Sequence, residues 1–147
     1  METNSVDILL VEDNPTDVEL ALRALKKSGL ANNIFVVNDG EDALDFLYCR
    51  NKFLSRNPNH TPKIVLLDLK LPKIDGLEVL RILKADEEKK IIPIIILTSS
   101  NQEKDMVESY KLGVNSYIQK PVDFDQFITA VNQIGLYWLL LNKLPKR

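Results

Sequence analysis

Acidic side chains follow two of the apolar runs in this 147-residue sequence. Glu12 and Asp13 come directly after one run, and Asp68 comes directly after another. A carboxylate at the end of a buried strand must either be solvated or be held in a site that uses its charge. Farther along the chain, Thr98 ends a third apolar run and Lys120 follows a fourth. Oxygen ligands grouped with one ammonium favour a site for a hard cation such as Mg²⁺ beside a phosphate.

Short apolar runs alternate with helical patterns along the whole chain. The predicted strands are residues 7–11, 34–37, 64–67, 92–98 and 115–119. Apolar residues at helical spacing follow each of them, as at Leu77, Leu80 and Leu83. Asn14 is the predicted N-cap of the first helix, and Pro15 suits its first position. Five strands separated by helices predict an α/β fold, in which a parallel sheet is covered on both faces.

The predicted fold also gives the location of the site. In an open parallel sheet, ligands bind at the carboxyl ends of the strands, next to the point where the strand order reverses. The residues at these ends are Glu12, Asp13, Asp68, Thr98 and Lys120. Carboxylates that are packed together repel one another, so such a cluster is stable chiefly when a cation lies among them. These residue types therefore favour a magnesium ion bound at the carboxyl ends of the strands.

Composition argues against several other classes of function. The chain is 45% hydrophobic and 27% charged, with a formal net charge of -2 and no basic tract, so we expect no direct binding to DNA. Its single cysteine, Cys49, rules out an internal disulfide and a multi-cysteine zinc site. No Gly-rich loop follows the first strand, which disfavours a dinucleotide site. With no apolar leader or membrane span in the sequence, we expect a cytoplasmic protein without membrane insertion.

The chain resembles the receiver domains of two-component response regulators over nearly its whole length. The resemblance rests on the stretches ILLVEDN, LLDLKLPKIDG, IIILTSS and SYIQKPVD. It implies a flavodoxin-like (βα)5 three-layer sandwich with a five-stranded parallel sheet of order 2-1-3-4-5. The length and the extended last helix resemble most the stand-alone receivers that serve phytochrome kinases. The partner that the family resemblance implies is a sensor histidine kinase, and the resemblance to the stand-alone receivers implies a phytochrome-like one.

The resemblance also implies a role for each acidic residue. Asp68 would be the phosphoacceptor and a metal ligand. Asp13 would bind Mg²⁺ directly, Glu12 would help through a water molecule, and the backbone carbonyl of Lys70 would be a further ligand. The chain would then catalyse only its own phosphorylation and dephosphorylation. The lone His60 lies in a polar loop, so we expect the phosphohistidine donor to be a separate kinase.

Other residues would respond to the phosphoryl group. Thr98 and Lys120 would contact it, and Tyr117 would be the switch aromatic whose rotamer follows Thr98. Two positions depart from the commonest family pattern: Ser99 stands where many relatives carry alanine or glycine, and Lys70 where asparagine or methionine is frequent. Both flank the route of a hydrolytic water, so the family pattern does not fix the lifetime of the phosphorylated state.

Three alternatives remain open on the sequence alone. Each strand-end carboxylate could simply cap a helix or be solvated. A haloacid-dehalogenase-like phosphatase also uses an aspartate nucleophile and a lysine, but it places the nucleophile in a DxD motif after the first strand, where this chain has VEDN. A phosphorylation-independent adaptor of receiver-like shape is the third alternative, and a magnesium titration would separate it from a phosphoacceptor.

The C-terminal part predicts how the signal leaves the domain. We expect residues 1–147 to form a single receiver domain with an extended C-terminal helix and no output domain. Apolar residues recur at helical spacing at Phe124, Phe127, Ile128, Val131, Ile134, Trp138 and Leu141. After Gly135 the stretch LYWLLL is apolar all round, so one domain covers only part of it. This favours a homodimer through helix four, strand five, helix five and the C-terminal extension, with output by protein contact.

Overall fold

Five strands and four helices alternate in the part of the chain that the computed structural model describes, which is residues 6–27, 29, 33–99, 102–120, 125, 126 and 129. The strands are β1 (Ile8–Val11), β2 (Ile34–Val37), β3 (Ile64–Leu67), β4 (Ile94–Thr98) and β5 (Ser116–Gln119). The helices are α1 (Pro15–Lys27), α2 (Gly40–Leu47), α3 (Gly76–Ala85) and α4 (Glu103–Lys111). The apolar stripe predicted for the last helix and the stretch LYWLLL lie outside the described residues.

The strands form one parallel sheet in the order β2-β1-β3-β4-β5, which confirms the predicted fold. Val11 of β1 is paired with Leu67 of β3, so Glu12 and Asp68 leave neighbouring strands at the same level. On the other side of β3, Leu67 is paired with Ile96 of β4. Strand order therefore reverses between β1 and β3, and Glu12 and Asp68 stand at that point.

The central strands are buried on both faces because helices cover both sides of the sheet. Every residue of β1, β3 and β4 is buried. Alternate residues of a strand point to opposite faces, so Leu9 and Val11 join one core cluster while Ile8 and Leu10 join the other. The first cluster includes residues of α2 and α3, and the second includes residues of α1.

The start of α1 is fixed by the cap that the sequence predicts. The Asn14 side-chain oxygen accepts the backbone N–H groups of Thr16 at 2.9 Å and of Asp17 at 3.1 Å. The start of β4 differs from the prediction, because this strand begins at Ile94 rather than at residue 92. The Ile92 N–H closes a short 3-10 turn onto the Lys89 carbonyl instead of joining the sheet.

Gly76 lets the start of α3 lie directly against the end of β3. A Cβ atom at this position would lie 2.2 Å from the Asp68 carbonyl oxygen and 2.6 Å from the Leu69 Cα. The Gly76 N–H donates to the Leu69 carbonyl at 3.0 Å, which ties the two segments together. The backbone that carries Asp68 is therefore held from both sides, since its N–H donates to the Val11 carbonyl of β1 at 3.1 Å.

The polar loop after α2 is fixed by a buried arginine. The Arg56 guanidinium lies 3.8 Å from the centre of the Phe46 ring and donates hydrogen bonds to the carbonyls of Phe46 and His60. The contribution of His60 to this contact is its backbone carbonyl. No helix among the described residues has the length and hydropathy needed to cross a bilayer.

Candidate functional site

Three carboxylates meet at the carboxyl ends of β1 and β3. Ligand oxygens of Glu12, Asp13 and Asp68 all lie within 4.8 Å of one another, and we call these residues the carboxylate trio. Glu12 is 2% exposed and Asp68 is 4% exposed, whereas Asp13 is exposed to solvent. The trio therefore has two buried members and one member open to solvent.

The ammonium of Lys120 lies against the trio. It donates hydrogen bonds to Glu12, to an Asp68 oxygen at 3.1 Å and to an Asp17 oxygen at 2.9 Å. The backbone N–H of Lys120 donates to the Thr98 carbonyl at 2.8 Å, which fixes the lysine next to the end of β4. A lysine ammonium has three N–H donors, so each can meet one of these carboxylates.

Burial and charge shift the pKa values of both members of the closest pair. Burial raises the pKa of Glu12 to about 7, against the hydrogen bond from Lys120, and the charge of Asp68 raises it further. Burial acts to lower the pKa of Lys120, but its hydrogen bonds to Glu12 and Asp17 outweigh that effect, so the pKa lies above its ordinary value. The ammonium therefore stays charged throughout the physiological range.

Backbone N–H groups orient the two buried carboxylates. One oxygen of Asp68 accepts the N–H of Lys70 at 3.2 Å, while the other oxygen accepts from Lys120. One oxygen of Glu12 likewise accepts the N–H of Asn14 at 3.2 Å. Each buried carboxylate is thus held by the loop that follows its own strand.

The other predicted site residues lie on neighbouring elements. Thr98 is fully buried at the end of β4, and Tyr117 is half-buried on β5, paired with Ile96. The side chain of Lys70 extends toward α4, where its ammonium lies 3.8 Å from a carboxylate oxygen of Asp105. The structure brings Glu12, Asp13, Asp68, Thr98 and Lys120 to one edge of the sheet, as the strand ends predicted.

Asp17 also belongs to this site, which the sequence analysis did not predict. An acidic residue in the first turn of a helix is ordinarily explained by its attraction to the helix dipole. Here the residue contacts Lys120 directly. The available signal was its position, since α1 begins just after β1 and its first turn must lie at the same edge of the sheet as Asp13.

Comparison with known families identifies this arrangement. The family model of the response regulator receiver domain matches residues 8–132. The chain belongs to the response regulator receiver family. It is a regulator of two-component signalling. Members of this family are generally signalling proteins rather than enzymes.

The chain is similar to response regulators associated with phytochromes. The solved structure of the bacteriophytochrome response regulator AtBRR is 52% identical, with a TM-score of 0.81, over 92% of this chain and 96% of that one. The response regulator Rcp1 of Synechocystis sp. is 38% identical over 138 residues, which cover 94% of this chain and 92% of Rcp1.

Two further solved structures show the ligand chemistry of such relatives. One is the Mn²⁺-bound form of Rcp1, which is 37% identical, with a TM-score of 0.75, over 95% of this chain and 98% of that one. The other is the phosphorylated cyanobacterial phytochrome response regulator RcpA, which is 38% identical, with a TM-score of 0.75, over 95% and 97% of the two chains. Divalent metal binding and phosphorylation are thus both represented among relatives of this chain.

Proposed function

We propose that this receiver domain takes a phosphoryl group from a sensor histidine kinase onto Asp68, in a Mg²⁺-dependent reaction, and thereby switches a protein-interaction surface. The observation that carries the proposal is the position of Asp68. Its carboxylate lies close to two further carboxylates and accepts a hydrogen bond from the ammonium of Lys120, at the point where the strand order reverses. This arrangement offers a nucleophile and a positive charge at the same place.

The chemistry proposed for the side chains is an in-line displacement. A carboxylate oxygen of Asp68 attacks the phosphorus of phosphohistidine, the new O–P bond forms as the N–P bond breaks, and the imidazole leaves with the electron pair. The Lys70 N–H holds the Asp68 carboxylate in a fixed orientation. The Lys120 ammonium stabilises the negative charge of the phosphoryl oxygens. Asp68 is therefore the phosphoacceptor, and Lys120 is a contact of the phosphoryl group.

The residues at the site fit a magnesium ion. The trio offers only oxygen ligands and holds them within 4.8 Å, which suits a hard cation. Asp13 and Asp68 would bind the ion directly, Glu12 would act through a water molecule, and the Lys70 backbone carbonyl would be a third direct ligand. When bound, Mg²⁺ neutralises charge on the transferred phosphoryl group. The Mn²⁺-bound form of its relative Rcp1 supports the binding of a divalent ion by this chain.

The proposed switch starts at Thr98. A phosphoryl group adds roughly -1.5 to -2 charges and three acceptor oxygens to Asp68. We expect these oxygens to attract the Thr98 hydroxyl and Tyr117 to change its rotamer in response. Tyr117 is half-buried on β5, next to the β4 residue Ile96. The same chain would catalyse hydrolysis of its own acyl phosphate, at a rate that Ser99 and Lys70 influence.

The proposed partners follow from the relatives and from the surface. The similarity to AtBRR and Rcp1 supports a phytochrome-like kinase as the donor, acting in the cytoplasm. Met106, Val107 and Tyr110 of α4 are exposed, which supports a homodimer through α4, β5, the last helix and the C-terminal extension. In this proposal residues 1–147 act as a single domain, whose output is protein contact rather than DNA binding.

The Asp68→Asn variant tests the acceptor. Because an amide cannot act as this nucleophile, the variant should lose all labelling by acetyl phosphate with Mg²⁺, as measured by intact-protein mass spectrometry. Asp75→Asn is the matched control, since Asp75 caps α3 at the end of the same loop and lies outside the trio. The control should label like the parent. Stoichiometric labelling of Asp68→Asn would overturn the assignment, and failure of the parent to bind Mg²⁺ would favour the phosphorylation-independent adaptor.

A further inference from the structure

Asp17 differs from the other two carboxylates that contact Lys120. Within the part of the chain that the structure describes, the Lys120 ammonium donates to Glu12, Asp17 and Asp68. Glu12 and Asp68 belong to the trio, whereas Asp17 lies on α1 outside it. Asp17 is therefore the described partner of Lys120 that stays available when the trio binds a cation.

The position of Asp17 is set by the helix that carries it. Its backbone N–H donates to the Asn14 side chain at 3.1 Å, so the capped first turn of α1 fixes the residue. Its side chain is 29% exposed, compared with 3% for the side chain of Glu12 and 5% for that of Asp68. Of the three carboxylates that contact Lys120, that of Asp17 thus belongs to the most exposed side chain. It approaches Lys120 from helix α1 rather than from a strand end.

A cation bound by the trio would change which carboxylates attract the Lys120 ammonium. The lysine and the metal ion are both positive, so they compete for Glu12 and Asp68 and repel each other. A lysine side chain has a flexible four-carbon stem, so a small movement is enough to release one partner and keep another. A carboxylate outside the trio would keep the ammonium close to Asp68 when the ammonium moves away from the metal-binding oxygens.

We propose that Asp17 is a positioning residue for Lys120, which keeps the ammonium next to the phosphoacceptor and draws it off the metal-binding carboxylates when a divalent ion binds. The proposal rests on the proposed function, because it takes the trio as the metal site. It predicts that Asp17 favours metal binding without contacting the metal, and that this effect depends on Lys120. Asp17 and Lys120 should therefore be energetically coupled in metal affinity.

A double-mutant cycle measured by calorimetry with Mg²⁺ tests this coupling. Asp17→Asn should weaken Mg²⁺ binding by about three- to tenfold, which is within the usual range for coupled neighbours. In the Lys120→Met background the same substitution should change the affinity by less than about twofold. Asp17→Glu, which keeps the carboxylate, should restore most of the parent affinity. Glu19→Gln is the matched control, since it removes one negative charge from an exposed position of the same helix.

Each outcome of the cycle supports or overturns the proposal. An equal loss in both backgrounds would show that Asp17 acts only as a general negative charge, and unchanged affinity in Asp17→Asn would show no role; either result overturns it. Far-UV circular dichroism and thermal unfolding check that the variants are folded. Asp13→Ala separates this inference from the proposed function. If Asp13→Ala binds Mg²⁺ like the parent, the trio is not the metal site. If Asp13→Ala loses Mg²⁺ affinity but Asp17→Asn does not, only the role of Asp17 is overturned.

Discussion

Negative charge exceeds positive charge among the side chains that meet at the end of β1. The ammonium of Lys120 contacts Glu12, Asp17 and Asp68, and Asp13 lies beside Glu12 and Asp68. Four carboxylates near one cation leave a surplus that a divalent ion would neutralise. In the proposed function the lysine is consequently both a helper of phosphoryl transfer and a competitor for the oxygens that would bind the metal.

This competition predicts opposite results for two substitutions. Asp13→Ala should weaken Mg²⁺ binding by more than about tenfold, because it removes a direct ligand. Lys120→Ala should leave Mg²⁺ affinity unchanged or increase it, because it removes a competing cation. Calorimetry on both variants measures the two effects. Parent-like binding in both would mean that the metal binds elsewhere.

The sequence predicts the members of the site that lie on strand ends better than those on helices. Glu12, Asp68 and Thr98 were predictable because a parallel sheet brings the carboxyl ends of its strands to one edge. Asp17 was not, because an acid in a first helical turn has an ordinary explanation in the helix dipole. The metal, phosphoryl and switch roles of these residues stay predictions.

At the scale of elements, the approach of α3 to the end of β3 is the contact most relevant to the site. A side chain at Gly76 would collide with the backbone of Asp68 and Leu69. Gly76→Ala should therefore reduce the free energy of unfolding by about 1–3 kcal/mol, as overpacking does, and should also weaken Mg²⁺ binding. Urea unfolding and calorimetry measure the two effects.

Gly113→Ala is the control for this prediction. Gly113 has a φ of +98°, but the nearest atom to its missing Cβ is 3.8 Å away and belongs to Lys84. An alanine there should lower stability through backbone strain, by about 1–2 kcal/mol, without changing Mg²⁺ affinity. Equal losses of Mg²⁺ affinity in both variants would show that the effect of Gly76→Ala is global instability rather than displacement of Asp68.

Helix α4 shows what a periodic pattern does not establish. Met106, Val107 and Tyr110 stand at helical spacing in the sequence, and the helix is present, but all three side chains are exposed. Asp105 and Ser109 are buried instead. The spacing of the apolar residues was enough to predict the helix, because it places them on one helical face. Whether that face is buried or exposed depends on tertiary packing. An outward apolar face on α4 is consistent with the proposed interface.

At the scale of the whole molecule, the proposed homodimer makes a separate prediction. Beryllofluoride with Mg²⁺, which mimics the phosphoryl group, should strengthen self-association by about 5- to 150-fold, the usual range for coupled sites. Val107→Glu should abolish self-association while leaving Asp68 labelling unchanged, because a charge on the apolar face of α4 would be buried in the interface. Sedimentation velocity with and without the mimic measures both.

Ile91→Glu is the control for that surface. Ile91 is 78% exposed in a 3-10 turn after α3. Like Val107→Glu, the substitution replaces an exposed β-branched apolar side chain with a carboxylate, but it does so outside the proposed interface. It should leave self-association unchanged. A parent that is monomeric at all concentrations in both states would refute the homodimer.

The overall topology was easier to predict than the first and last residues of each strand. Alternation of strands and helices predicted a parallel sheet, and the resemblance to receiver domains supplied the order 2-1-3-4-5, which is confirmed. β2 and β3 begin and end where predicted. The predicted start of β4 was wrong because Pro93 has no N–H to give to a neighbouring strand and Ile92 is used in a turn.

The contacts of Lys120 join distant parts of the chain. Its ammonium meets Glu12 across 108 positions and Asp17 across 103. During synthesis, a ribosome-bound chain that has already exposed Asp68 still lacks the lysine, because β5 and its following residue emerge later. Such a chain also lacks the contacts that fix the end of β4 to Lys120. If the proposed function holds, a kinase that met the growing polypeptide would find an incomplete receiver, and competence to receive the signal would arise only after nearly all of the sheet has been translated.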